Sequence, residues 1–323
     1  MGRKKRSRII ENLTIDKVVG EGKALARHDE LVVFVENVAP GDVVDIKIRK
    51  KKKNYVEGYP VKFHAYSDER VTPFCRHFGI CGGCKWQFLP YQKQLTYKQQ
   101  QVVDAFERLG KLELPEVTPI MASPGTVFYR NKMEFTFTNR RWLSKEEMDV
   151  PDADKQMDGL GFHVPRMFDK VVDLQHCHLQ PDPSNAIRNA VRNYAIEKGY
   201  SFFDIRKQEG LLRTLMIRTS SAGEVMVVVA FYEDDPEARR DILEFIRTEF
   251  SKIHSLMYVI NPKGNDSILD LDIRLYAGRD HIFEEMEGLY FKLGPKSFYQ
   301  TNSAQAYNLY KQARDYANLQ GNE

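Results

Sequence analysis

Strand-like runs far outnumber helical runs in the second half of the chain, and this imbalance is the strongest constraint on its fold. Between about residues 129 and 293, apolar and β-branched runs interleave with only two helical stretches. Parallel strands need crossover connections, usually helices, and two helices cannot connect so many strands in parallel. The sequence therefore predicts an α+β domain with a mainly antiparallel sheet over residues 67–293. The nearly all-apolar run 225–232 is predicted to be a central strand.

The first 66 residues have the pattern of a small antiparallel β-barrel. Alternating runs such as VVDIKIRK are separated by Gly and Pro-Gly turns. Small barrels of the OB type commonly bind oligonucleotides on one face. The segment VVGEG at 18–22 lacks the third glycine and the following helix of a dinucleotide-binding fingerprint, so a hairpin turn is predicted there.

Positive charge is concentrated at the front of the chain. The whole protein has a formal net charge of +3, but residues 1–60 hold 14 Lys and Arg against 9 Asp and Glu. One basic cluster spans 3–8, and the second consists of Lys47, Arg49, Lys50, Lys51, Lys52 and Lys53. Clusters of this kind neutralise phosphates and release condensed counterions, so both are candidate RNA contacts. The alternative for each cluster is an ordinary solvated tail or hairpin.

Helix signals mark the linker region and the end of the chain. An amphipathic helix is predicted at about 95–110, and a last helix begins near Thr301, Asn302 or Ser303 and runs to about Leu319, followed by Gly321. No apolar run approaches the roughly 20 residues of a membrane span, and no leader-like segment follows the first basic residues. The chain is predicted to be a cytoplasmic monomer with no membrane partner.

The four cysteines are spaced as metal ligands. Cys75, Cys81 and Cys84 form CxxxxxCxxC, and Cys177 follows in LQHCHLQ. Four thiolates can hold a [4Fe-4S] cluster or a tetrahedral zinc, and a nearby histidine could replace one thiolate in a zinc site. The nearby histidines are His77, His176 and His178. Free, merely buried cysteines are the remaining alternative. The first gap of five residues disfavours a radical S-adenosylmethionine cluster.

The order of these features resembles a known enzyme family. A basic barrel, CxxxxxCxxC, YRNK at 129–132, a fourth cysteine and SFYQTN at 297–302 follow one another. In this order they resemble the bacterial RNA uracil-5-methyltransferases of the iron-sulfur class, which use S-adenosylmethionine to modify 23S rRNA or the tRNA T-loop. The resemblance implies that the barrel is a TRAM domain and that Gln300 contacts the methyl donor. It also implies that Arg130 and Lys132 face RNA, although solvated charges on an edge strand are the alternative. The cluster ligands that it implies are Cys75, Cys81, Cys84 and Cys177.

The catalytic residues are not found by the same reasoning. Methylation at C5 of uracil needs a nucleophile for C6, a bound donor and a base. In the family these lie on a doubly wound domain with a late cysteine. Here every cysteine is already assigned and no glycine-rich donor loop is visible. We therefore expect the nucleophile and base beyond Glu323, with residues 294–323 as only the start of a truncated Rossmann-like methyltransferase domain. The helix at about 95–110 would pack on that missing domain.

The sequence thus predicts a multidomain protein with the organisation 1–66 barrel, 67–293 iron-sulfur and central α+β domain, and 294–323 domain start. The predicted function is methylation of uracil C5, most often in 23S rRNA, with this chain alone inactive. One alternative is a stand-alone RNA-binding module, and another is a tRNA T-loop methyltransferase. A zinc-stabilised structural protein is a further possibility. A donor-contacting SFYQTN followed by a helix favours the enzyme, because a binding module has no need of it.

Overall fold

A computed structural model describes residues 9–321, apart from the side chain of Ala153. The chain forms two compact units. The first comprises the described residues up to Gly79 together with Gly83–Ala122, and the second comprises Ile80–Gly82 and the described residues from Ser123 onward. Among residues 9–321, no helix is both long enough and apolar enough to cross a membrane.

The first unit is built on a six-stranded sheet with the order β1-β5-β6-β4-β3-β2. Its strands are β1 (Ile9–Thr14), β2 (Lys17–Val18), β3 (Lys23–His28), β4 (Leu31–Glu36), β5 (Val43–Lys51) and β6 (Tyr55–Ala65). Only the β4–β6 pair is parallel among the described pairs of this sheet. Val44 and Ile46 alternate with polar neighbours and enter one apolar core, as a strand period of two requires. Gly58 permits the close approach of β5 and β6, because a Cβ there would lie 2.8 Å from the Lys47 carbonyl oxygen.

One helix completes the first unit. Helix α1 (Tyr91–Asp104) continues into a π-helical turn at Ala105–Leu109, so it begins before the predicted position near residue 95. Leu95 is buried, and Asp104 forms an ion pair of 2.7 Å with Lys17 of the sheet. These contacts hold the helix against its own unit, while Leu109 remains 84% exposed.

The second unit is built on a seven-stranded sheet with the order β13-β12-β11-β10-β7-β8-β9. Its strands are β7 (Lys132–Thr138), β8 (Gly159–His163), β9 (Val171–Asp173), β10 (Leu212–Thr219), β11 (Val225–Phe231), β12 (Ser255–Ile260) and β13 (Ile273–Gly278). A separate hairpin consists of β14 (Ile282–Met286) and β15 (Leu289–Leu293). The helices are α2 (Lys145–Met148), α3 (Ser184–Glu197), α4 (Pro236–Glu249) and α5 (Ser303–Ala317).

Strand β11 is buried on both faces, as its apolar sequence predicts. Its odd-numbered residues 225–231 enter a core with α3 and α4, and its even-numbered residues 226–230 enter a second core with Ile282 and Leu293. The β11–β12 pair is parallel, and α4 supplies the crossover between them. The sheet therefore has helices on one face and the β14–β15 hairpin on the other.

The predicted fold class, in which residues 294–323 are only the start of a separate Rossmann-like domain, is wrong. The described part of this segment belongs to the second compact unit. Arg218 on β10 is 3% exposed, and its guanidinium donates to the carbonyl oxygens of Gly294 at 2.9 Å and Ser297 at 2.8 Å. A buried guanidinium requires acceptors, and the turn after β15 supplies them by folding back onto the sheet.

Helix α5 follows that turn. The Asn302 side chain caps it by accepting a hydrogen bond from the Gln305 N–H at 3.0 Å. The helix ends at Asn318, which takes the left-handed conformation with φ of 49°, so the predicted terminator Gly321 lies beyond its end.

Candidate functional site

The SFYQTN segment is an exposed turn between β15 and α5. Phe298 is 84% exposed, and the Gln300 side chain is also at the surface. The backbone of the turn, in contrast, is tied to the sheet. The Gln300 carbonyl oxygen accepts a hydrogen bond of 2.8 Å from the Asn131 side-chain amide.

Asn131, from the YRNK motif, joins the turn to the start of β7. Its side-chain nitrogen Nδ2 also donates to Ser303 Oγ at 2.9 Å, and its backbone N–H donates to the Thr301 carbonyl at 2.8 Å. The Asn131 carbonyl accepts from the Thr219 N–H at 2.8 Å. The fold therefore brings together two motifs whose linked residues, Asn131 and Gln300, are 169 positions apart.

A buried carboxylate lies beneath this junction. Glu284 on β14 is fully buried, and its Oε2 accepts a hydrogen bond of 3.0 Å from Ser303 Oγ. Its Oε1 accepts from the Ser221 N–H at 2.8 Å and from the Ser221 hydroxyl. Burial lowers the pKa of the Arg218 guanidinium, and the charges of Glu134 and Glu284 oppose that effect. The site is consequently a hydrogen-bonded polar network inside an apolar unit.

Arg130 and Lys132 lie on either side of Asn131. The Arg130 N–H donates to the Leu179 carbonyl at 2.8 Å, and the side chain is half-buried. Its Nε has no hydrogen-bond partner among the described residues. Lys132 forms an ion pair of 2.6 Å with Glu134. Both residues are therefore chain neighbours of Asn131, whose hydrogen bonds hold the turn that carries Gln300.

The second basic cluster follows the end of β5 and the turn after it. Arg49 is already paired with Glu57 at 3.0 Å, which lowers the pKa of that carboxyl, and Lys50 lies 3.5 Å from it. Lys47 is half-buried. The exposed residues Lys51, Lys52 and Lys53 form no ion pair with any residue in 9–321. The first basic cluster, 3–8, lies outside the described residues.

The four cysteines form no disulfide and lie in different local settings. In the first unit, Cys75 is half-buried and its N–H donates to Gln87 Oε1 at 3.2 Å, and Cys84 is also half-buried. In the second unit, Cys81 packs against the core that contains Cys177. Within residues 9–321, no three His, Cys, Asp or Glu side chains are grouped so as to hold a metal ion. The metal centre that the sequence resemblance implies is therefore not seen among these side chains and stays a prediction.

Cys177 lies beside a buried positive charge. Its backbone is fixed by Asn185, whose Oδ1 accepts from the Cys177 N–H at 2.8 Å. Arg188 is fully buried, and its Nε and Nη1 have no hydrogen-bond partner among the described residues. Burial lowers the pKa of Arg188 to about 10, while Cys177 acts in the opposite direction. Arg188 Nη2 donates to the Gln175 carbonyl at 3.1 Å and to Asn189 Oδ1 at 3.2 Å, so the guanidinium is only partly hydrogen-bonded.

The sequence analysis names Gln300, Arg130 and Lys132 as candidates but not the residues that hold the turn around Gln300. Asn131 stood inside YRNK, where a polar amide flanked by two charges was the available signal. Ser303 was considered only as a helix cap. Glu284 and Arg218 gave no local signal, because a charged residue in a strand-like run is usually on the solvent face.

Comparison with known proteins adds a family and a fold. A family model described as the TRAM domain matches residues 9–61. An uncharacterized RNA methyltransferase of Bacteroides thetaiotaomicron is 56% identical over 309 residues, which cover 95% of this chain and 68% of that protein. A second, of Porphyromonas gingivalis, is 52% identical over 316 residues, which cover 96% of this chain and 68% of that protein. A third, of Chlorobaculum tepidum, is 36% identical over 311 residues, which cover 94% of this chain and 64% of that protein.

A solved structure is similar over nearly the whole chain. The crystal structure of Pyrococcus abyssi tRNA (uracil-54, C5)-methyltransferase in complex with S-adenosyl-L-homocysteine matches with a TM-score of 0.65 and 24% sequence identity. The match covers 94% of this chain and 64% of that one. Because the methyltransferase fold is followed over 94% of the chain, the expectation of a mere Rossmann fragment at 294–323 is overturned. The comparisons give no support to the predicted truncation and inactivity.

Proposed function

Because this chain belongs to the RNA methyltransferase family, we propose that it transfers the methyl group of S-adenosylmethionine to C5 of a uracil in RNA. The observation that carries this proposal is the junction of YRNK with SFYQTN, where Asn131 holds the Gln300 carbonyl at 2.8 Å. In the resemblance, Gln300 contacts the donor and Arg130 and Lys132 face RNA. Both residues flank Asn131, which is hydrogen-bonded to the Gln300 carbonyl, and this connection supports a single site for donor and substrate. The similar fold of a uracil-54 C5-methyltransferase bound to S-adenosyl-L-homocysteine points to the same chemistry.

In this proposal Gln300 binds the methyl donor, and the basic residues bind RNA. The exposed amide of Gln300 can both donate and accept hydrogen bonds, which suits the carboxylate, ammonium or hydroxyl groups of the donor. Arg130 and Lys132 supply positive charge for phosphates beside it. The second basic cluster in the first unit supplies further phosphate contacts. Methylation of C5 also needs a nucleophile that adds to C6, so that C5 can attack the methyl group of the donor, and a base that removes the C5 proton. We assign neither role to a described side chain.

The RNA class that we propose is 23S rRNA, in line with the sequence resemblance. A second candidate is tRNA, because the structurally similar enzyme is a tRNA (uracil-54, C5)-methyltransferase. Incubation of the chain with methyl-tritiated donor and unmodified transcripts of each RNA separates the two. We expect label in 23S rRNA and 5-methyluridine after digestion to nucleosides. Label in tRNA alone would select the second candidate.

A matched variant links the activity to the proposed site. Gln300→Ala should raise the KM for the donor several-fold and leave the affinity for RNA unchanged, because one donor contact contributes about 0.5–1.5 kcal/mol. If the chain binds RNA but neither binds nor uses the donor, the proposed function is wrong. That result would favour the stand-alone RNA-binding module.

We also propose that Cys75, Cys81, Cys84 and Cys177 ligate a [4Fe-4S] cluster, on the basis of the sequence resemblance. Within residues 9–321, no three His, Cys, Asp or Glu side chains are close enough together to hold a metal ion. No step of methyl transfer is therefore derived through a cluster.

A further inference from the structure

We propose that Ser303 and Asn131 are positioning residues, which hold Gln300 for the methyl donor by tying its backbone to buried Glu284. This inference rests on the proposed function, because it assumes that Gln300 contacts the donor. It assigns a role to the side chains of Ser303, Asn131 and Glu284, to which the proposed function gives none.

The first step of the argument is the backbone of the turn. Asn131 donates from its side chain to the Gln300 carbonyl and from its backbone to the Thr301 carbonyl, both at 2.8 Å. Two consecutive carbonyl groups are thus fixed from one residue. Since the Gln300 side chain is exposed, its direction depends on this backbone and on few packing contacts.

The second step is the direction of the hydrogen bonds. Ser303 has one hydroxyl proton and two lone pairs. The Ser303 hydroxyl donates its proton to Glu284 Oε2 at 3.0 Å, which leaves its lone pairs for Asn131. Nδ2 of Asn131 then donates to Ser303 Oγ at 2.9 Å. The carboxylate therefore fixes which way the Asn131 amide points, and the amide nitrogen is kept next to the Gln300 carbonyl.

The third step is the rigidity of the anchor. Glu284 is fully buried and also accepts from the Ser221 N–H at 2.8 Å, so it is held from a second side. Arg218 holds the beginning of the turn at the carbonyls of Gly294 and Ser297. The turn is clamped at both ends while the Gln300 side chain faces solvent. Such prior ordering lowers the entropy cost of binding a ligand.

The test compares the effects of two hydrogen-bonded serine hydroxyls on donor affinity. Ser303→Ala removes the link between Asn131 and Glu284. Ser184→Ala is the control, because the Ser184 hydroxyl donates to Gln180 Oε1 at 2.5 Å and not to a residue of the turn. We expect Ser303→Ala to weaken S-adenosylmethionine binding about threefold to tenfold, as for one hydrogen bond. Ser184→Ala should change it less than about twofold at a similar loss of Tm. Ser303→Thr keeps the hydroxyl and should restore the affinity.

A double-mutant cycle shows whether Ser303 acts through Gln300. If it does, Ser303→Ala has no further effect on donor affinity once Gln300 is Ala. Hydrogen exchange at the backbone N–H of Asn131 provides a readout that does not require the methyl donor. The exchange should accelerate in Ser303→Ala and not in Ser184→Ala. The positioning role alone would be overturned if the two substitutions reduced donor affinity independently, so that their fold-losses multiply. Equal exchange rates at Asn131 in Ser303→Ala and Ser184→Ala would also overturn it. A chain whose donor affinity is absent, or unchanged by Gln300→Ala, would overturn the proposed function of Gln300 and this inference with it.

Discussion

Asp204 illustrates how a buried charge is stabilised in the second unit. The residue is 2% exposed, and its Oδ1 accepts from the backbone N–H groups of Arg206 at 2.9 Å and Lys207 at 3.1 Å. Asn139 and Arg140 donate to its Oδ2 at 3.2 and 3.3 Å. Burial by itself raises the pKa of the carboxyl, but these four donors outweigh burial and lower the pKa to about 2.

The low pKa of Asp204 gives a prediction for acid unfolding. The ordinary pKa is 3.8, so the carboxylate stabilises the folded state above pH 3.8, and the contribution is lost as the pH falls from 3.8 toward 2. Asp204→Asn should lower the free energy of unfolding by about 2 kcal/mol at pH 7. The difference from the wild type should shrink as the pH falls through that window. Urea unfolding at several pH values measures both, with the exposed Asp149→Asn as control. A constant difference between pH 7 and pH 2.5 would contradict the assignment.

At the scale of elements, strand pairing decides which basic side chains remain available. The register of the β5–β6 pair places Arg49 within 3.0 Å of Glu57, whereas Lys51, Lys52 and Lys53 extend past the paired carboxylate. The sequence shows six nearly equivalent cations in this run. The hairpin divides them into paired and unpaired ones.

This division predicts the salt dependence of RNA binding. Replacing Lys51, Lys52 and Lys53 with Ala should make the plot of log K against log salt less steep by up to about 2, since each phosphate contact on single strands contributes about 0.7. Arg49→Ala should change the slope less, because the guanidinium is already neutralised by Glu57. Filter binding from 50 to 300 mM salt provides the measurement. A triple variant with the wild-type slope would show that these lysines are only solvated.

At the scale of the whole molecule, the four thiols pose the main chemical question. None of the four forms a disulfide, and in the described part of the chain no three His, Cys, Asp or Glu side chains are grouped so as to hold a metal ion. The proposed cluster is therefore tested on the intact protein by metal analysis.

Protein purified without oxygen should contain about four irons and four sulfides per chain if the four cysteines act together. Cys177→Ser, which keeps the size of the side chain, should lose most of the iron and lower the Tm, because ligation contributes to folding. One zinc without sulfide would replace the cluster by a structural zinc site. Folded protein free of both metals would leave the cysteines as ordinary buried thiols.

The sequence by itself determined the features that depend on short-range patterns. The apolar run at 225–232 predicts a central strand, which is confirmed by the position of β11 between β10 and β12. Asn302 was among the three residues predicted to cap α5, and its side chain is the cap. Caps and strand alternation depend on residues a few positions apart, so they can be recognised from the chain alone.

Only the tertiary structure decided how residues 294–321 are used. It folds the turn after β15 onto Arg218, brings Gln300 to Asn131 across 169 positions and buries Glu284 beneath both. None of these contacts leaves a periodic signal, because each depends on a pairing between strands that are distant in the chain. The free energy that favours them comes from satisfying buried charges, and a charge is recognised as buried only after the sheet has formed.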